Sequence, residues 1–600
     1  MLFRCCLSRT LRPPLSHLFP YHHPRDADTT RRRTMATKTV AVLNESELKD
    51  GEMKQVAFED GQVLVSRIGD EIHATSAFCT HYGAPLAKGV LTSDGRVVCP
   101  WHGACFNVCN GDIEDAPAPT ALHSFKAFVS DGKINVTADP KNTTKANMSR
   151  PPKIMAPEST AAGHDQGVVI VGGGAGAFHT IESLREHGYS KPILLLTKEP
   201  HVPIDRTKLS KSLMTDVSKL EWRSAAELKL RFGVTIRTDS EVKSVDPRAK
   251  AVTLLSGESF SYDKLVLAPG ANPRVLPIPE LRGEDGQLRE NVFTFRGMAD
   301  SVKVDNAAKE GKTAIVIGSS FISMELVITM SKRGLSAIHV IGLEDVPFEA
   351  VLGKEVGAGI MKYHQANTPI IQFHMASSVT RVLTSVGNLK TVDGVAFKTK
   401  GTEGQETETE LKGDFVVLGV GVAPATDFLK NTFQLEKDGG IKVDEYLRVS
   451  GSGDVFAIGD IAVYPQLGSP EGEFRRVEHW NVASNHGRAV GKTIAADAQP
   501  FVKVPVFWSA QGQQLRYCGV GSGHDDVIIK GDPSTMKFVA YYVKKNAIVA
   551  VACAQSDPIM GKASELMRLG LMPSPEEVRN GKDLLTIDIS SAATRPRVAS

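Results

Sequence analysis

The chain is 600 residues long, with 42% apolar residues, 23% charged residues and a formal net charge of +2. That length exceeds a single hydrophobic core and implies about three to five domains. The near-average composition excludes a disordered or fibrous chain, and no apolar run approaches the length of about 20 residues that a membrane-spanning helix needs.

The segment 1–34 holds seven Arg, no Lys and only two acids, Asp26 and Asp28, a local charge of +5. An Arg-rich, acid-poor, Ser-containing start is the composition of an organellar presequence. Residues 1–37 are therefore read as a basic extension directing the chain to the mitochondrion. A disordered tail is the plainer alternative, and Met35 opens a second start for a cytoplasmic form. Setting the +5 of this segment against the +2 of the whole leaves −3 for the remainder, which invites no nucleic acid.

From 38 to 139, the runs QVLVSRI, EIHATSAF, RVVCP, KAFVS and KINVTA alternate with DG and GD turns, the pattern of a small all-β domain. Residues 140–165, rich in Pro, Ser, Thr, Ala and Lys, read as a linker. An apolar strand, a Gly-rich turn and a helix follow in VVIVGGGAGAFHTIESLREHG, then the strand ILLLT. A second such unit, TAIVIGSSFISMELVITMSKRG and AIHVI, begins further along the chain. The expected architecture is multidomain: the all-β domain, then two α/β Rossmann-like dinucleotide-binding domains and a C-terminal α+β domain. The first α/β domain takes 166–300 and 413–495, the second 301–412, and the last domain 496–600 with a helix near 563–571.

Four of the eight Cys (Cys79, Cys99, Cys105 and Cys109) cluster in one segment, whereas Cys5, Cys6, Cys518 and Cys553 are scattered. Clustering without a secretory signal points to metal chemistry before disulfides. Cys79-Thr80-His81 and, further on, Cys99-Pro100-Trp101-His102 each supply one thiolate and one imidazole. A Rieske 2Fe-2S centre needs two of each. Tetrahedral zinc also accepts two Cys and two His, but finger spacing pairs like with like. Cys105 and Cys109 have no place on such a cluster and are read as small packed residues or free thiols.

Gly172, Gly174 and Ala177 fit G-x-G-x-x-[GA] between strand and helix, where backbone N–H groups and the helix N-terminus take a pyrophosphate. Glu199, somewhat further past Gly172 than the usual spacing of about 20 residues, is the candidate acid for the ribose. The second unit keeps Gly318, with Ser320 and Ser323 small enough to fit in place of further glycines. Its strand ends at Gly342, and the nearest acid is Glu344. A modest preference between NADH and NADPH is expected, and Gly342→Glu is expected to shift it toward NADH.

The flanks YGAPL and WHGACFNVCNGDIEDAPA resemble a Rieske domain, with Ala84 and Trp101 where the cytochrome-complex type carries a further Cys pair. The resemblance is thus to the ferredoxin and oxygenase type, which implies the lower end of the potential range. LVLAPGANP and SGDVFAIGD resemble the remaining signatures of two-dinucleotide flavoproteins. With PIDRTKLSK, FISMELV and EHWNVASNHGRAVG, the chain from about 40 to 590 resembles Rieske-containing apoptosis-inducing-factor-like reductases. The resemblance implies FAD, a 2Fe-2S cluster and NADH or NADPH as cofactors. It also implies an FAD-dependent NAD(P)H oxidoreductase passing electrons through FAD to its own cluster and on to a protein or small-molecule acceptor. Asp460 would hold the FAD ribitol, Arg206 would contact FAD, Lys211 would pair with Glu325 beside the flavin, and Trp508 would line it. The C-terminal domain implies a homodimer. A redox-responsive cell-death or stress-signalling role is the alternative carried by the same resemblance.

Absences narrow the field. The helix AFHTIESLREHG has no Cys, and Cys518 and Cys553 stand alone, which excludes a dithiol relay and the sirohaem set of a nitrite reductase. No D/E-x2-H-x4-H segment offers the mononuclear iron of a ring-hydroxylating oxygenase.

Overall fold

A computed structural model describes residues 37–151, 153–154, 167–384, 390–401, 404–466, 473–495 and 498–589. The basic extension up to residue 36 lies outside them. Near the N-terminus an antiparallel sheet forms in the order Lys38–Asn44, Lys133–Ala138, Ser124–Ser130, Glu71–Ser76, Gly61–Ile68, Met53–Phe58. Lys133–Ala138 alternates between outward and buried residues, as a half-solvated sheet requires. The turn before it places Asp131 and Gly132 both at positive φ, 52° and 69°, matching the twist of a tight hairpin. A smaller sheet of Val90–Leu91, Arg96–Val98, Cys105–Asn107 and Ile113–Asp115 frames the cysteine-rich segment.

The expected linker starts too early. Pro140–Thr143 and Lys145–Asn147 form short turns, the first capped by the Asp139 carboxylate, and Ser149–Arg150 pairs with Ala121–Leu122. Pro, Thr and Asn mark turns as readily as linkers, so this stretch belongs to the β domain. Residues 155–166 lie outside the described residues.

Two parallel five-stranded sheets follow. The first runs Val234–Arg237, Ile193–Leu196, Val168–Val171, Lys264–Leu267, Val455–Ala457. The second runs Val292–Thr294, Phe415–Leu418, Thr313–Ile317, Ala337–Ile341, Ile371–His374. Their central strands are apolar along most of their length, because helices cover both faces. The expected bounds of 301–412 for the second unit are too narrow, since two of its five strands, Val292–Thr294 and Phe415–Leu418, lie outside them. The chain crosses between the units along a single antiparallel pair, Ala271–Pro273 with Val422–Pro424, so both crossings run side by side.

The C-terminal domain is an antiparallel sheet in the order Val506–Gln511, Gln513–Gly519, Ala547–Ala554, Lys537–Lys544, Asp526–Asp532. Its helix is Ile559–Leu569, starting after Pro558 and ending at Gly570 with φ +67, a few residues earlier than expected. No helix among the described residues is long and apolar enough to cross a membrane.

Candidate functional site

The two Cys/His loops are built alike. In Cys79–Ala84 the Cys79 N–H donates to the Ala84 carbonyl (2.9 Å), and the Gly83 N–H donates to the Cys79 carbonyl (2.8 Å). In Cys99–Ala104 the same two bonds recur at 2.7 and 3.2 Å. Gly83 and Gly103 sit at φ +74 and +71, which admits a tight reversal that a side chain would strain. The loops thereby bring together donors from two separate segments of the chain. Cys79 and Cys99 hydrogen-bond each other, and His81 Nδ1 lies 3.0 Å from His102 Nδ1.

Burial pushes the Cys79 thiol well up, although the N–H groups of His81 and Tyr82 point at its sulfur. Burial acts the same way on Cys99, but hydrogen bonds from Cys79 and from the Trp101 and His102 N–H groups outweigh it and hold this thiol below its ordinary value. Burial also depresses both imidazoles, His81 to about 4. They are therefore neutral, the form that donates a lone pair to a metal. The four donors fall into a thiol pair and an imidazole pair. Such pairing suits a two-iron centre better than one tetrahedral zinc. Cys105 is fully buried and Cys109 is exposed, its sulfur 3.6 Å from His73 Nε2.

This site faces the flavoprotein half. The His102 ring centroid is 4.3 Å from that of Trp508 and the His81 centroid 5.9 Å from it. Trp508 in turn neighbours His479 and Trp480 at 5.8 and 6.1 Å. Buried polar contacts hold the β domain in place. Lys503 pairs with Asp115 (2.7 Å), Arg516 Nε donates to the Trp101 carbonyl (2.9 Å), Arg488 to the Ile113 carbonyl (2.6 Å) and Arg223 to the Pro119 carbonyl (2.7 Å).

In the first α/β unit, Gly172 has φ +106, and a Cβ there would lie 2.1 Å from the Ala268 carbonyl oxygen. A Cβ on Gly174 would meet nothing within 4 Å, so open space faces the turn. The helix Ala175–Glu186 begins directly after it without a side-chain cap, leaving N–H donors for a phosphate. Ala177 is fully buried beneath the turn. Glu199 binds Arg206 in an ion pair. Asp460 is buried and held by Arg296, and Gly270 lies beside both. Lys211 and Glu325, far apart in sequence, meet at 3.0 Å. The buried Glu325 also accepts from Ser210 Oγ (2.5 Å), Ser509 Oγ (2.7 Å) and the Ala510 N–H (3.2 Å). The residues of the turn thus fit the phosphates of a dinucleotide. Sequence reasoning missed Arg296 and Arg516, neither of which stands in a motif, and Ser509, which follows Trp508. Ser210, beside Lys211, could have been found from its segment.

The second unit repeats the turn. Gly318 has φ +108, its Cβ position lies 2.2 Å from the Gly419 carbonyl oxygen, and the helix Phe321–Met330 starts uncapped after the exposed Ser320. Glu344 is exposed and lies just past the strand's expected acid position, yet its carboxylate returns to accept from Ser319 Oγ at 3.3 Å. Gly342 is buried, and a Cβ there would come within 2.6 Å of Met375 Cε and 2.8 Å of Ser319 Oγ. The substitution Gly342→Glu therefore needs Met375 to move before it can act on a ribose.

Comparison with known proteins agrees with this layout. The model of the pyridine nucleotide-disulphide oxidoreductase family matches residues 166–487, more than half the chain. The chain belongs to that family. A Rieske [2Fe-2S] domain matches 38–126 and a reductase C-terminal domain 506–586. The chain is 36% identical over 564 residues to apoptosis-inducing factor 3 of Mus musculus, covering 93% of this chain and 87% of the relative. It is 36% identical over 569 residues to that of Homo sapiens, covering 94% and 88%. A solved ferredoxin reductase from Rhodopseudomonas palustris superposes with a TM-score of 0.62 at 27% identity, covering 72% of this chain and 100% of that one. The chain is a ferredoxin-reductase-like oxidoreductase with a Rieske domain, and its cofactors are FAD, NAD(P)H and a 2Fe-2S cluster.

Proposed function

We propose that this oxidoreductase takes hydride from NAD(P)H and delivers electrons through FAD to its own Rieske cluster, from which an external acceptor draws them. FAD is the adaptor in such a chain, since it accepts two electrons together and releases them singly. Cys79, His81, Cys99 and His102 would hold the cluster. Gly172, Gly174, Ala177, Glu199, Arg206 and Asp460 would bind FAD, and Gly318, Ser320 and Glu344 would bind the nicotinamide coenzyme. Lys211 would supply a cation that favours a reduced, anionic ring, and Glu325, 3.0 Å from it, would keep that ammonium paired.

The observation that carries the reading is the 4.3 Å contact between His102 and Trp508, which sets an imidazole of the candidate cluster site against the aromatic wall of the reductase half. Rapid mixing with NADH tests it. Cluster reduction is expected to follow flavin bleaching at a rate independent of protein concentration. A rate proportional to concentration would mean that electrons pass between molecules, not within one. The Arg-rich segment 1–34 supports import into the mitochondrion, with a cytoplasmic form from Met35.

A further inference from the structure

We infer that the face centred on Tyr82 is the docking surface for an acidic one-electron carrier protein, which draws electrons from the cluster there. The inference rests on the proposed cluster ligands. Cys79 and Cys99 are each 1% exposed, and His102 is 6% exposed and turned toward Trp508. His81 is stacked on Tyr82, with ring centroids 3.9 Å apart and planes at 20°. Tyr82 itself is 42% exposed. It is thus the solvent-facing ring in direct contact with a candidate iron ligand.

The β domain does not need to swing to expose another side, and its contacts oppose such a swing. The Lys503–Asp115 pair is mostly shielded from solvent, and Arg488, Arg223 and Arg516 each donate to one of its backbone carbonyls. Separating the domain would leave Asp115 without Lys503 and three backbone carbonyls without their guanidinium donors. An acceptor must therefore come to the cluster where it stands.

The charge around Tyr82 selects the partner. Lys208 Nζ, from the first α/β unit, lies 5.9 Å from the Tyr82 ring centroid, and its side chain is 38% exposed. Lys145 runs over Gly83 and sets its Nζ 5.4 Å from the ring of Phe78, the residue before Cys79. The carboxylate that touches Tyr82, Asp205, is 2% exposed and engaged by the Tyr82 hydroxyl, Thr207 and Lys208. Solvent therefore meets an aromatic ring flanked by two ammonium groups, with the acid turned inward. Such a rim steers an acidic surface and repels a basic one. One electron leaves the reduced cluster and one ferric haem of the carrier becomes ferrous, with no proton required.

Two haem proteins of opposite charge serve as probes: cytochrome b5, which is acidic, and cytochrome c, which is basic. The full-length holoprotein is reduced with dithionite, freed of excess reductant and mixed with each in stopped flow. Cytochrome b5 is expected to be reduced at a rate that falls with added salt. The exposed-face variant Lys145→Glu together with Lys208→Gln is expected to slow it about tenfold, with the cytochrome c rate unchanged or raised. Preference for cytochrome c, a salt-independent cytochrome b5 rate, or an unaffected rate in the Lys variants would overturn the inference. So would fast reduction of a small neutral quinone with slow reduction of both cytochromes, since that would assign the acceptor to small molecules. Because dithionite loads the cluster directly, a failure of NADH to reduce it would count against the internal relay alone and leave this test standing.

Discussion

His486 shows how a residue outside the recognised roles can control the flavin site. It is fully buried, and its Nδ1 accepts the Gly459 N–H at 3.2 Å, bracing the turn that presents Asp460. Burial depresses this imidazole to about 3. The unfolded chain takes up a proton near the ordinary His value while the folded one resists, so stability is full above about pH 6.5 and is lost as pH falls toward the depressed value. Protonation would also remove the lone pair that accepts from Gly459. Acidification from pH 7 toward 4 is therefore expected to release FAD, seen as a rise in free-flavin fluorescence, and His486→Gln to move that release to lower pH. At this scale the sequence was informative where chemistry is local. The four Cys/His donors, Gly172 and Gly318 could be read from spacing, because each motif confines its residues to one turn. The pairings of Arg296 with Asp460 and of Ser509 with Glu325 could not, since 164 and 184 residues separate the partners.

Two helices of the first α/β unit, Ala175–Glu186 and Trp480–Ala495, pack unusually close through glycines. A Cβ on Gly487 would lie 2.3 Å from the Gly176 carbonyl oxygen, and one on Gly491 would lie 2.6 Å from Ser183 Cβ. The helix that opens at the FAD turn is thus fixed by backbone contact with the helix that carries EHWNVASNHGRAVG. Gly487→Val is expected to force the pair apart, cost about 1–3 kcal/mol or more in stability, and lower FAD content in the purified protein. Full FAD occupancy at unchanged Tm would show that the close approach is dispensable. Element types were legible because the apolar strands and Gly-rich turns repeat in both units. Their borders were not. Phe415–Leu418 is a short apolar run with no turn signature to assign it, and only pairing with Thr313–Ile317 shows that it belongs to the second sheet. The stretch after Pro140 differs from its sequence expectation for the converse reason, since turn residues look alike whether or not the turn is packed.

Across the whole molecule, the arrangement turns on the β domain being seated on the reductase. Its seat joins an apolar patch, where Val90, Val98 and Cys105 pack with Val506, Cys518 and Cys553, to the Lys503–Asp115 ion pair and carbonyl contacts. Domain order was legible from sequence, but this seat was not. Its contacts join residues from distant parts of the chain, and a lone Lys or Arg carries no mark of its partner. Lys503→Ala leaves the partly buried Asp115 without its main cation, a defect smaller than the roughly 3–5 kcal/mol of a fully buried pair. Slower cluster reduction with unchanged flavin bleaching is the expected result, read by following both chromophores after one addition of NADH. Equal rates for the variant and the native protein would show that the seat does not set the transfer distance. Anaerobic titration with NADH followed by EPR reads the end state of the same reaction. The relay from NADH through FAD to the cluster requires that the flavin bleach and that the rhombic signal of a reduced Rieske centre grow in with it. A bleached flavin beside an EPR-silent protein that contains zinc in place of iron would contradict it.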